Sequence, residues 1–158
     1  MQESIIIDRL QRSFALWEDM ARGLPEEAFA ARLPVASSTI GQQFWCLIGA
    51  RESYTRAIAS GGWQGFACSL AADEITSRAA ILRALQNSAA GFQRCMTELA
   101  SENDNVNTGS AAENDNLRDG LLLDLMEHEA QHMGQLIRYC YGLGYSFPPG
   151  WQQRWALS

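Results

Sequence analysis

Along four separate stretches of this chain, apolar residues recur at every third or fourth position, and strand-like alternation is nowhere sustained. That spacing places one buried stripe on each of four helices and leaves little else for the chain to fold into. The first stretch, about residues 2 to 22, repeats Ile6, Leu10, Phe14, Trp17 and Ala21 and is stopped by Gly23 and Pro25. The second follows Ser37, Ser38 and Thr39, all suited to N-capping, and runs to about Ser60, before Gly61 and Gly62. Its stripe is Ile40, Phe44, Leu47, Ile48, Tyr54 and Ile58. The third begins near Asp73 and continues to about Ala100, with Ile75, Leu82, Leu85, Phe92, Met96 and Leu99. The fourth runs from about Asn114 to Leu143, ends at Gly142 or Gly144, and is followed by Pro148 and Pro149. Four such stripes joined by connections of a dozen or so residues predict an all-α four-helix bundle, one domain over residues 1–158.

Two stretches stand outside the pattern. Residues 101–116, SENDNVNTGSAAENDN, repeat ENDN and carry few large apolar groups, so a solvated, mobile loop is expected there. The end, FPPGWQQRW, is expected as an irregular tail whose tryptophans pack on the body.

Composition narrows the function. A formal net charge of −6 offers no basic field for nucleic acid and repels an anionic membrane surface. No run is long and apolar enough to span a bilayer, nothing resembles a signal peptide, and the expected location is the cytoplasm. Cys46, Cys68, Cys95 and Cys140 never form C-x-x-C, which argues against a zinc ribbon. Cys68, Cys95 and Cys140 read as small buried hydrophobes.

The protein's two histidines, His128 and His132, stand in HEAQH, which satisfies the zinc-protease pattern H-E-x-x-H. A protease needs a third ligand. Residues 133–158 hold no Asp, Glu or His, and the extended form of the motif meets Gln135 and Arg138 in place of its Gly and His. The spacing keeps its meaning nonetheless. Residues i and i+4 share one helix face, so both imidazoles can reach one ion. Leu117, Leu121, Leu125, Gln135 and Tyr139 fall on or near that face, whereas Glu129 lies about a quarter-turn away as a flanking or boundary residue. Two readings stay open: a metal site, or two hydrogen-bonded histidines inside a bundle.

The arrangement resembles the DinB-like (YfiT-like) family of metal-dependent enzymes. Its H-x-x-x-H, commonly followed by Gln-Leu, is matched by His128-Glu-Ala-Gln-His132-Met-Gly-Gln135-Leu136. The opening of its second helix, roughly T-I-G-x-x-x-x-H-[IL], is similar to Thr39-Ile40-Gly41-Gln42-Gln43-Phe44-Trp45-Cys46-Leu47. The resemblance implies a four-helix bundle holding zinc or nickel on three histidines, frequent homodimers, and in some members the transfer or rearrangement of thiol conjugates with a low-molecular-weight thiol as cosubstrate. One position departs. Where the family has its first histidine ligand, this chain has Cys46.

Thiolate binds zinc at about 2.3 Å, and Cys-His₂ is a catalytic zinc composition. Cys46 is therefore either the third ligand beside His128 and His132, favouring a thiophilic ion, or a small filler in a site that has lost its metal. Gln43, one turn before Cys46, and Gln135, one turn beyond His132, are within reach of the same pocket. Glu129 is the nearby acid/base candidate on helix four. Arg51 and Glu52 read as solvent or salt-bridge residues, and Trp45, Trp63, Trp151 and Trp155 as packing. With metal, the expected activity is small-molecule transfer or hydrolysis. Without it, the bundle is a catalytically silent binding or dimerising module.

Overall fold

In the computed structural model, which describes residues 2–103 and 111–158, the chain is all helical, with no strand among the described residues. Four long helices, α1 (Gln2–Gly23), α2 (Ile40–Ser60), α3 (Arg78–Asn103) and α4 (Ala111–Leu143), form the bundle. A 3-10 turn at Glu26–Ala30 and a short helix α5 (Pro149–Trp155) complete the order. Helix α2 packs against both α3 and α4, and α1 closes the other side against the same two. No helix of the described residues is long and apolar enough to cross a membrane.

Three expectations about boundaries are corrected. Helix α3 starts at Arg78, not near Asp73, because Ser77 caps it: its Oγ accepts the Ala80 N–H at 3.3 Å. The Glu26 carboxylate adds a second tie, taking the Arg78 N–H at 2.9 Å. Much of the segment expected as a loop is helical, since α3 continues through Asn103 and α4 begins at Ala111. A polar composition is compatible with an exposed helical turn, and Ala111 and Ala112 favour one. Residues 104–110, the middle of the segment expected to be mobile, lie outside the described residues. The C-terminal stretch is a helix as well. Pro149 occupies its first turn, where a fixed φ and a missing N–H cost nothing.

The apolar interior consists of two clusters. One gathers Trp17, Met20, Phe44, Leu47, Ile48, Ile81, Leu85, Met133 and Leu136; the other Leu10, Phe14, Ile58, Phe92, Leu122 and Leu125. Buried Arg51, Ser88 and Glu129 stand between them in the order of α2, α3 and α4, and Ser13 of α1 adjoins Phe14 of the second cluster. Arg51 donates to Glu129 Oε1 from Nε and Nη2 at 3.0 and 2.9 Å, and to Ser88 Oγ at 3.3 Å. Ser13 Oγ donates to Glu129 Oε2 at 2.7 Å, and the guanidinium lies 3.7 Å from the centre of the Phe14 ring. A buried charge survives only when paired and hydrogen-bonded, and this layer meets both conditions. Trp151 of α5 is fully buried edge-on to Trp17 and donates its indole N–H to the Leu16 carbonyl at 2.6 Å. Trp45 is half-buried against the core, whereas Trp63 and Trp155 are exposed, Trp63 against Tyr54 at the surface.

Candidate metal centre

Helix α2 opens with a capping box. Thr39 Oγ1 accepts the Gln42 N–H while Gln42 Oε1 accepts the Thr39 N–H, at 3.1 and 2.7 Å. This fixes the phase of the helix from its first turn. Gln43 and Cys46, three residues apart, then share the face packed against α4. On α4, His128 and His132 occupy successive turns of the opposing face, their rings 4.6 Å apart.

The ligand atoms of Cys46, His128 and His132 all lie within 4.8 Å of one another, with Cys46 Sγ 3.9 Å from His128 Nε2. Sulfur and nitrogen bound tetrahedrally to one zinc ion stand about 3.5 Å apart, so a contraction of less than half an ångström brings that pair to coordination distance. Cys46 and His128 are half-buried and His132 is buried, which gives the cluster one side open to solvent.

Gln43 fixes the tautomer of His132. Its amide nitrogen donates to Ser38 Oγ, which turns Oε1 toward the imidazole, 2.6 Å from His132 Nδ1. Nδ1 therefore carries the proton, leaving Nε2 with its lone pair for an ion. The chain of donors continues outward. Ser38 Oγ and the Tyr139 hydroxyl are 3.1 Å apart, and Tyr139 donates to the Ser38 carbonyl at 2.7 Å.

Burial is the largest influence on the titration of both histidines, and it lowers both. His132 is pushed down to about 4, with His128 adding to the effect. For His128 the nearby Glu129 carboxylate and a hydrogen bond toward the Cys46 backbone pull the other way. Neutral imidazoles are the metal-binding form. Burial raises the Cys46 thiol above its ordinary value, so without a cation beside it Cys46 stays protonated.

Other expected site residues fare differently. Gln135 is exposed on α4. Glu129 is no boundary residue: it is buried, and its carboxylate is committed to Arg51 and Ser13 rather than free for acid/base work. Arg51 is fully buried, so its salt bridge is part of the core. Cys95 and Cys140 are buried as expected, whereas Cys68 is only half-buried and lies near the cluster. The parts of the site that the pattern did not reveal are Ser38 and Tyr139. Ser38 reads as a capping candidate, and Tyr139, two turns beyond His132, as part of an apolar stripe.

No curated protein and no solved structure matches the chain. The DinB family model matches residues 2–155, which takes in all five helices and every residue of the cluster. The chain belongs to the DinB family.

Proposed function

We propose that this protein is a metal-dependent small-molecule enzyme of the transferase or hydrolase type, its divalent ion held by Cys46, His128 and His132. The observation that carries the reading is the convergence of three ligand atoms within 4.8 Å, one of them on an imidazole whose tautomer Gln43 sets for coordination. A thiolate among the donors favours zinc, with nickel the other thiophilic choice. Three protein donors are the composition of catalytic zinc sites, which keep a position for water or substrate. A bound ion would lower the pKa of a water or thiol held there.

The chain's own contribution is orientation and proton control. Gln43, Ser38 and Tyr139 hold His132 in one tautomer and aim it, while burial keeps it neutral. The Arg51–Glu129 pair locks α2 and α4 within two turns of the ligands. Since Glu129 is held by Arg51 and Ser13, it is not free to move a proton at the site. A low-molecular-weight thiol fits as cosubstrate, because a thiophilic ion held by Cys46, His128 and His132 would favour a thiol in its thiolate form. We further propose a homodimer. Ile5 and Leu123, 50% and 44% exposed, line a groove with Ile6, Met126, Arg9 and Asp119, a mixed surface that a second copy would cover.

Elemental analysis after zinc loading tests the reading. One equivalent is expected in the parent, lost in His128→Ala, sharply weakened in Cys46→Ala, and retained in Cys46→His. A parent that takes up no metal, and whose stability is indifferent to His128→Ala, would instead be a catalytically silent binding module.

A further inference from the structure

The candidate ligands and the buried polar layer are carried by the same two helices. Gln43 meets His132, Cys46 meets His128 and Arg51 meets Glu129 across the interface of α2 and α4. Glu129 follows His128 directly, and Arg51 stands five residues beyond Cys46. The contacts of this pair reach all four long helices. Arg51 grips Glu129 Oε1 from two nitrogens, at 3.0 and 2.9 Å. Its third nitrogen reaches Ser88 Oγ and the Leu85 carbonyl of α3 at 3.3 and 3.5 Å. Ser13 of α1 donates to the other carboxylate oxygen at 2.7 Å.

Stability alone does not call for such a layer, since apolar side chains of similar volume commonly match or exceed a buried ion pair. What apolar contacts lack is direction, whereas a guanidinium fork on a carboxylate fixes both separation and angle. A metal site is sensitive to that difference. Side-chain tips stand about 5–6 Å from a helix axis, so turning α4 by roughly 20° carries an imidazole nitrogen about 2 Å. Coordination distances tolerate only about 0.2 Å. Gln43 holds the His132 ring itself. The aim of His128 is set by its backbone, and Glu129 is the next residue along it.

We propose that Arg51 and Glu129 are positioning residues, which hold α4 in the one rotation and register against α2 at which His128 and His132 face Cys46. Ser13 and Ser88 anchor the pair to α1 and α3, so the carboxylate and the guanidinium each have one orientation. The proposal rests on the metal-site reading above and deepens it, assigning the buried charges to ligand geometry rather than to stability. Stability and geometry then come apart in a variant. An apolar replacement of the whole pair leaves a folded bundle whose histidines no longer keep a single place.

The test compares the full-length parent with Arg51→Met/Glu129→Met and with Arg51→Lys, which keeps the charge but offers a point donor in place of the fork. Zinc affinity is read by chelator competition. In chelator at about pH 8, where imidazoles are neutral, long-range proton–nitrogen NMR correlations report the rings of the chain's two histidines. The parent is expected to give one set of ring signals per histidine, with His132 protonated on Nδ1. Both variants, folded by circular dichroism, should give several sets or broadened ones and bind zinc roughly 10–100-fold more weakly. Variants that lower Tm yet keep the parent's ring signals and zinc affinity would overturn the proposal, leaving the layer a packing role only. A parent that takes up no zinc overturns the metal-site reading by itself. The ring signals of the metal-free proteins then still decide whether the layer positions the histidines.

Discussion

Arg51 and Glu129 meet inside the bundle with side chains 0% and 2% exposed, and their pairing separates the two apolar clusters of the core. Removing one partner leaves a charge that nothing else neutralises. Arg51→Met or Glu129→Met should each cost roughly 3–5 kcal/mol. The double substitution should cost less than either alone, because no orphan charge remains. Urea denaturation of the four proteins measures the cycle; single variants within about 0.5 kcal/mol of the parent would contradict it.

Gln43 acts on the metal site through His132, so its effect should fall on affinity. Gln43→Ala is expected to weaken zinc binding by roughly 10–100-fold. Gln43→Glu, which keeps an acceptor opposite Nδ1, should restore most of it. Chelator competition reads both variants, and equal loss in the two would mean that the acceptor is not what matters.

The metal-free protein should lose stability in acid through His132. Its folded pKa of about 4 lies below the ordinary 6.5. Above pH 6.5 both states hold a neutral ring and the contribution is intact. As pH falls from 6.5 toward 4, the unfolded chain takes up a proton that the folded chain refuses, and up to about 3 kcal/mol is lost. His132→Phe should flatten this part of the profile relative to the parent. Thermal unfolding in chelator across that window is the measurement.

Gly41 is required by close packing. A Cβ there would sit 2.1 Å from the Ile75 carbonyl oxygen and 2.9 Å from that of Phe29, both backbone atoms that cannot rotate aside. Gly41→Ala should therefore cost roughly 1–3 kcal/mol or more. Gly134 is the contrast, on the exposed side of α4 with nothing within 4 Å of its Cβ position. Gly134→Ala should stabilise by up to about 1 kcal/mol. Tm values that move in the same direction for both would refute the distinction.

Elements with strong periodicity and local punctuation were legible in the amino-acid order alone. α1 and α2 lie where their stripes place them, because Gly23, Thr39 and Gly61 act within a turn of the helix ends. His128 and His132 share a face for the same reason, as i and i+4 spacing needs no partner to be read. Local pattern failed where polar residues cap or extend a helix, at Ser77 and in the polar start of α4 after Ala111, and where a proline pair begins α5 rather than merely ending what precedes it. Tertiary structure alone decided what meets across helices. Arg51 and Glu129 are ordinary surface residues by type, and only bundle register brings them together across 78 positions. Cys46 reaches His128 across 82 positions and Gln43 reaches His132 across 89, because α2 and α4 pack face to face. Helical period is a property of neighbours along the chain; coordination and charge pairing are properties of neighbours in space.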